Sequence, residues 1–286
     1  MVIDVHLHPW CKEAHYGDKK KIAEAMAGPN PRKLKGAIRM LNVITEQFTL
    51  KDYVAIMDKF NIKKAIIVAY DVTTAYGFVM ATNDDIADFV KIYPDKFIGF
   101  GCIDIPAKNA MEQLEYAIKS LDLKGIKLIP PVQKFDYSDK KFDPLWNKMI
   151  DLNVPLWTHG GHQASFYGSM AKYGHPLLID DLASRYQDLI IIIGHMGVPW
   201  MWDTWSVVLR HPNVYVDISA YPNLYNWFPW DAFITEDLSH KILFASDYPL
   251  IHYSQIFNSF EKIEMTDTLR KAILEKNAIK LLKIKI

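Results

Sequence analysis

Residues 2–9, VIDVHLHP, place two histidines at alternate positions of a short apolar run. Val2, Ile3 and Val5 are β-branched and no helix cap precedes them, so the segment reads as a strand that Pro9 ends. Side chains alternate across a strand, which predicts Asp4, His6 and His8 on one face and Val5 and Leu7 on the other. The two imidazoles then stand together at the strand's C-terminal end. A buried imidazole needs a partner, because an unsatisfied buried polar group costs roughly 1–3 kcal/mol. A metal ion is one such partner, and a structural pairing is another; the rest of the chain has to decide between them.

Seven further apolar runs follow: KKAIIVAY (63–70), KFIGFGCID (96–104), LKGIKLIP (123–130), VPLWTHGG (154–161), LIIIIGHMG (189–197), VYVDIS (214–219) and KILFASDYP (241–249). Between them lie stretches with helical spacing, such as 49–62, 83–94, 107–122, 143–153 and 176–188. Thr49, Asn83, Asp143 and the acidic stretch near Asp180 are the candidate N-caps. Strands that alternate with helices are joined by right-handed crossovers into a parallel sheet, and near-continuous apolar strands are buried on both faces. Eight such units predict an α/β fold, a (β/α)8 TIM barrel, formed by one domain over 1–286. A doubly wound open sheet is the competing fold, but it usually carries a glycine-rich phosphate turn after its first strand, and MVIDVHLHPW has none.

The first unit is overlong, with residues 9–62 separating the first two runs where a compact unit needs far fewer. Residues 11–41, CKEAHYGDKKKIAEAMAGPNPRKLKGAIRML, are polar and broken by Gly and Pro. They predict an insertion between the first strand and the first barrel helix that forms a lid or rim over the C-terminal mouth rather than core.

Composition narrows the class. The 286 residues carry 33 basic and 33 acidic side chains, half are hydrophobic, and no run is long enough to span a bilayer. A balanced surface argues against nucleic acid or an anionic membrane as partner and leaves a small-molecule substrate. The strand at the very start leaves no room for a leader segment. Two cysteines, Cys11 and Cys102, are too few for a disulfide framework and fit a reducing cytoplasm.

In a barrel the active site lies at the C-terminal ends of the strands. There the first run carries His6 and His8, the fourth Lys127, the fifth His159, the sixth His195 and the eighth Asp247. Parity pairs Trp157 with His159, Ile193 with His195, Ala245 with Asp247, and Lys127 with Ile129, so each can point inward. Any one buried histidine is readily explained as core; five such positions at one end are not. Four imidazoles and a carboxylate make a nitrogen and oxygen donor set suited to zinc, manganese, cobalt or iron, whereas calcium would want mostly oxygen.

H-x-H at the end of strand one, the histidines of WTHGG and IIGHMG, and the aspartate of FASDYP together resemble the amidohydrolase superfamily, in its amidohydrolase-related branch with aminocarboxymuconate semialdehyde decarboxylase. The closing EKNAIKLLKI is similar to that family's C-terminal helix. The resemblance implies one divalent metal, zinc ahead of manganese, held by His6, His8, His159 and Asp247. His195 would stand beside it as the catalytic acid–base residue, with Asp247 shuttling a proton as well as ligating. Lys127 is a contact for a substrate carboxylate or a supporting residue, rather than a carboxylated bridge between two metals. The resemblance also implies assembly into homo-oligomers.

Other candidates are weaker in their pattern. Trp157 and His162 are candidate substrate contacts, as is His175 beyond the GGHQASFYG loop. Arg39 or Arg32 of the insertion could grip a carboxylate bidentately. Asp217 could support a ligating histidine. The aromatic segments MGVPWMWDTW and SAYPNLYNWFPW could wall a planar substrate. Three functions fit: non-oxidative decarboxylation of an aromatic or unsaturated acid, placed first; metal-assisted hydrolysis of a lactone, ester or amide; and a non-catalytic metal-binding barrel.

Overall fold

The computed structural model describes residues 1–285. Eight parallel strands, β1 (Val2–Leu7), β2 (Ile62–Val68), β3 (Phe97–Cys102), β4 (Ile126–Leu128), β5 (Leu156–Thr158), β6 (Ile191–Ile193), β7 (Val214–Asp217) and β8 (Ile242–Leu243), follow one another around the sheet in chain order. The last meets the first: Val5 N–H donates to the Phe244 carbonyl at 3.0 Å and Asp247 N–H to the His6 carbonyl at 3.0 Å. The sheet therefore closes into the expected barrel.

The lumen is filled by Ile3, Val5, Ile66, Val68, Phe100, Trp157, Ile192, Leu243 and Ala245, and Ala278 and Ile284 of the C-terminal segment join the same cluster. Layers of branched side chains of this kind make a barrel interior a packed core rather than a channel. A second, larger cluster packs the outer face of the sheet against the helices.

Strict alternation fails in β1. Asp4 pairs with Ala65 and Leu7 with Ile67, so three steps on β1 oppose two on β2, which is a bulge. Ile3 and Val5 face the lumen, and Asp4 lies on the opposite side. There its carboxylate accepts from Ser246 Oγ at 2.6 Å and from the Tyr253 hydroxyl at 2.6 Å. After the bulge His6 and His8 turn toward the centre of the barrel, so Asp4 does not share their face. A comparable correction applies to β6, where Ile192 rather than Ile193 belongs to the lumen cluster. His195 reaches the centre because it adopts φ +59°, followed by Met196 at +56° and Gly197 at +68°.

The caps follow short-side-chain chemistry with shifts from the expected positions. Thr49 and Asp52 form a capping box for the helix Leu50–Lys59. Thr82, rather than Asn83, caps Asn83–Ile92, again with a capping box through Asp85. Asp143 is the first residue of its helix, and Asp180 lies inside Pro176–Arg185, whose N-cap is His175.

The insertion folds into α1 (Lys19–Ala27) and α2 (Pro31–Asn42). It is not merely a polar rim, since Ile22 and Ala23 of α1 and Leu41 of α2 are buried. An antiparallel bridge between Tyr16 and Met80 ties its entrance to the loop after β2.

Candidate metal centre and active-site cavity

The C-terminal ends of the strands converge on a cavity whose wall includes His8, Lys127, His159, His195 and Asp247. His6 is fully buried behind it. Ligand atoms of His6, His195 and Asp247 all lie within 4.8 Å of one another. One Asp247 oxygen, Oδ1, is 3.4 Å from His6 Nδ1 and 3.3 Å from His8 Nε2. The His159 ring stands 4.5 Å from that of His195. All six residues named from the strand ends, Lys127 included, are thus brought together.

Each is placed by a local device. Asp247 takes φ +66° just beyond β8, which turns its side chain into the cavity. Gly194 precedes His195 because a Cβ there would lie 2.2 Å from the Trp157 ring. His195 Nδ1 is 2.7 Å from Ser219 Oγ, which in turn donates to Asp217 Oδ1 at 2.5 Å. With the Ser219 proton committed to Asp217, the Ser219 oxygen accepts from Nδ1–H, and Nε2 of His195 keeps its lone pair. Asp217 also accepts from the His195 backbone N–H at 2.9 Å and from Trp157 Nε1–H at 2.6 Å. His159 Nε2 donates to the His162 carbonyl at 3.1 Å, which leaves its Nδ1 as the acceptor.

Burial dominates the charge states. It lowers the imidazole pKa of His6, His8 and His195, and takes His159 down to about 3; the Lys127 charge adds to the effect at all four. Burial brings Lys127 down to about 8, opposed by the nearby Asp247 carboxylate. The same desolvation pushes the Asp247 carboxyl up to about 8, with Lys127 pulling it back. Lys127 Nζ sits 2.8 Å from His6 Nε2 and 3.3 Å from His8 Nε2.

These residues fit a divalent metal. The imidazoles are neutral, as ligation requires, and Nδ1 of both His6 and His8 is buried without a hydrogen-bond partner. Imidazole nitrogen with one carboxylate is the donor chemistry of zinc and of other divalent transition metals.

The weaker candidates fall elsewhere. Trp157 is fully buried beneath the cavity, stacked on His6 at 4.0 Å, and does not line the wall; its indole is committed to Asp217. Arg39 is exposed on α2 and borders a separate groove with Phe48 and Tyr248 rather than lining the cavity; Arg32 is exposed at the start of the same helix. His162 lies beside the cavity, with its ring 3.5 Å from the Tyr221 hydroxyl and its carbonyl serving His159. His175 accepts from Leu177 N–H as a helix cap. Asp217 does support a cavity histidine, as anticipated.

The walls bring in residues that sequence reasoning passed over. Trp10 stacks on His8 at 4.2 Å, Phe166 stacks on Tyr70 at 5.7 Å, and Tyr221 faces His195. Met26 of α1 also lines the cavity, so the insertion does reach the mouth. Tyr221 belongs to the SAYPNLY aromatic segment, whereas Trp10 and Tyr70 carry no signal beyond that of ordinary core aromatics.

Comparison with known proteins agrees with this geometry. The amidohydrolase family model, Amidohydro_2, matches residues 3–284. Gamma-resorcylate decarboxylase of Polaromonas sp. (strain JS666) is 24% identical over 264 residues, covering 77% of this chain and 80% of the relative. Among solved structures, an uncharacterised TIM-barrel protein of Bordetella bronchiseptica superposes with a TM-score of 0.74 at 22% identity, covering 99% of this chain and 98% of that one. A dihydroxybenzoic acid decarboxylase from Polaromonas sp. JS666, with bound manganese and the inhibitor 2-nitroresorcinol, superposes with a TM-score of 0.71 at 21% identity, covering 99% and 96%.

Proposed function

Because the chain belongs to the amidohydrolase family, we propose that it is a metal-dependent enzyme that removes CO₂ without oxidation from an aromatic carboxylic acid. The observation that carries this reading is the clustering of His6, His195 and Asp247 donors within 4.8 Å, flanked by His8 and His159, at the floor of an aromatic-walled cavity. The curated relative with decarboxylase activity supports the choice of reaction.

His6, His8, His159 and Asp247 would hold a single divalent ion, with His195 beside it. When bound, such an ion supplies positive charge that fixes and polarises an anionic substrate. Zinc is the expectation from the donor set, and the manganese in the dihydroxybenzoic acid decarboxylase makes it the second metal to test.

Decarboxylation of a ring acid requires a proton to reach the ring carbon while the bond to the carboxylate breaks and CO₂ departs. Asp247 and His195 are two groups at the cavity floor able to hold that proton. The Asp217–Ser219 chain orients His195 so that Nε2, rather than Nδ1, is presented for transfer. Lys127, an ammonium with no carboxylate ion pair, is placed to meet the substrate's carboxylate or the charge that develops on its ring. Trp10, Tyr70, Phe166 and Tyr221 provide flat faces for the ring and exclude water.

The test is metal content by elemental analysis, together with CO₂ release from gamma-resorcylate and other aromatic acids. About one zinc or manganese per chain and CO₂ release that stops on chelation support the reading. Hydrolysis of a lactone or ester without CO₂ release would transfer the same residues to metal-assisted hydrolysis. A protein that keeps no divalent metal after reconstitution would overturn both. The two cysteines are free and buried, which supports the cytoplasmic placement. Among the described residues no helix is long and apolar enough to cross a membrane.

A further inference from the structure

Charge is spread unevenly around the mouth of the barrel. The loops after β5, β6 and β7 supply His159, Gln163, Phe166, His195 and Tyr221 to the cavity wall. Yet residues 159–175, 194–202 and 218–230 hold a single Lys, Arg, Asp or Glu between them, Lys172. The insertion is the opposite. Residues 12–47 carry eight basic and four acidic side chains, in a chain whose total is balanced. All eight basic residues are exposed. Lys19 meets Glu46 at 3.2 Å and Lys20 meets Glu24 at 3.9 Å, and these exposed pairs still leave the segment with its positive excess.

The excess stands close to the opening. Met26, near the end of α1, lines the cavity, and Lys19, Lys20 and Lys21 form the first turn of the same helix. At 1.5 Å rise per residue Lys21 lies about 8 Å from Met26 along the axis, and Lys19 about 10 Å. That is within roughly one screening length at physiological salt. A field from α1 therefore reaches the mouth, and the nearly uncharged loops after β5, β6 and β7 do not cancel it.

We infer that the insertion is an electrostatic funnel, whose exposed lysines draw a small anionic substrate to the mouth and raise its rate of association. This rests on the reading of the cavity as a site for a carboxylate, and it gives the insertion a role beyond covering the mouth. The rest of the chain carries the compensating excess of acidic side chains. A long polyanion or an extended anionic surface would meet that excess too, so a small anion is the ligand that fits.

The experiment is stopped-flow association of the metal-loaded full chain with gamma-resorcylate and benzoate, followed by tryptophan fluorescence. Two variants of equal net charge are compared with the wild type. One carries Lys19→Glu, Lys20→Glu and Lys21→Glu. The other carries Lys91→Glu, Lys124→Glu and Lys285→Glu, all exposed and bordering a groove at the starts of β3, β5 and β6, the far end of the barrel. At about 0.1 M salt the α1 variant should associate roughly 5-fold more slowly, and the far-end variant at the wild-type rate. At about 1 M salt, where charges act over roughly 3 Å, all three should converge. Glutamate in the first turn of a helix is favoured by the helix dipole, so α1 should persist. Equal rates at 0.1 M salt, equal slowing in both variants, or a defect that persists at 1 M salt would overturn the inference. So would retention of the wild type, and not the α1 variant, on phosphatidylserine vesicles with association of the acids unaltered, which would assign the insertion to a membrane surface. Steered association without CO₂ release would keep the funnel and remove the decarboxylase reading, and CO₂ release with unsteered association would do the reverse. Failure of the wild type to bind either acid would overturn both.

Discussion

The wall built on Asp217 and the wall built on Trp10 and Tyr70 enclose one cavity and use their polar atoms in opposite ways. On the first, a fully buried carboxylate accepts from the His195 backbone, the Ser219 hydroxyl and the Trp157 indole. On the second, an indole N–H and a phenol hydroxyl are buried and unpaired. Folding satisfies the polar atoms of the first wall, while the second turns aromatic rings to the cavity and leaves two of its polar atoms without a protein partner. Substitutions on the Asp217 side should therefore register in stability or in catalysis, while those on the other side should register first in ligand binding.

The sharpest test of the prebuilt side is His195→Asn. Turnover should fall by roughly 10²- to 10⁴-fold, the usual worth of a positioned acid–base group, while elemental analysis finds the metal retained. Loss of the metal instead would place His195 among the ligands. Asp217→Ala strands four buried donors, the Trp157 indole, the His195 and Ser219 backbone N–H groups and the Ser219 hydroxyl, and denaturant unfolding should show a loss of about 3 kcal/mol or more. Gly194→Ala would drive a methyl group into the Trp157 ring, and the same measurement should record a loss of about 1–3 kcal/mol. Ser219→Ala removes only the hydroxyl that sets the His195 tautomer; metal affinity or activity should drop roughly 10- to 100-fold with little change in melting. Chelation should move stability least. It should abolish turnover while lowering the melting temperature by a few degrees, since barrel closure is made by backbone and Asp4 contacts that do not involve an ion.

The barrel and the convergence at its mouth were legible because both rest on local pattern: apolar runs of strand length and polar residues stationed at their ends. Ranking His6, His8, His159, His195 and Asp247 together needed only strand order. The details that parity could not supply depend on backbone choices set by neighbours. The bulge in β1 exists only in relation to β2, and it reverses the side taken by Asp4 while leaving the histidines inward. His195 and Asp247 enter through left-handed conformations, unusual for side chains with a Cβ, so counting by twos along the strand reached the right residues for the wrong geometric reason. Arg39 misled because charge in an insertion says nothing about which face of a helix meets the mouth. Trp10 and Tyr70 were invisible because an aromatic with an unpaired donor looks, in sequence, like any other buried ring.

The closure of the barrel also determines when the site can exist. Asp4 and Ser246 lie 242 residues apart in the chain, yet their hydrogen bonds hold the strands that carry His6 and Asp247 side by side. His6 and Asp247 come together only when the first and eighth strands meet, so a partly folded form without that pairing lacks the complete donor set. Assembly of the donor set is thus coupled to contacts of long range, the kind that form slowest because the intervening chain must first be ordered.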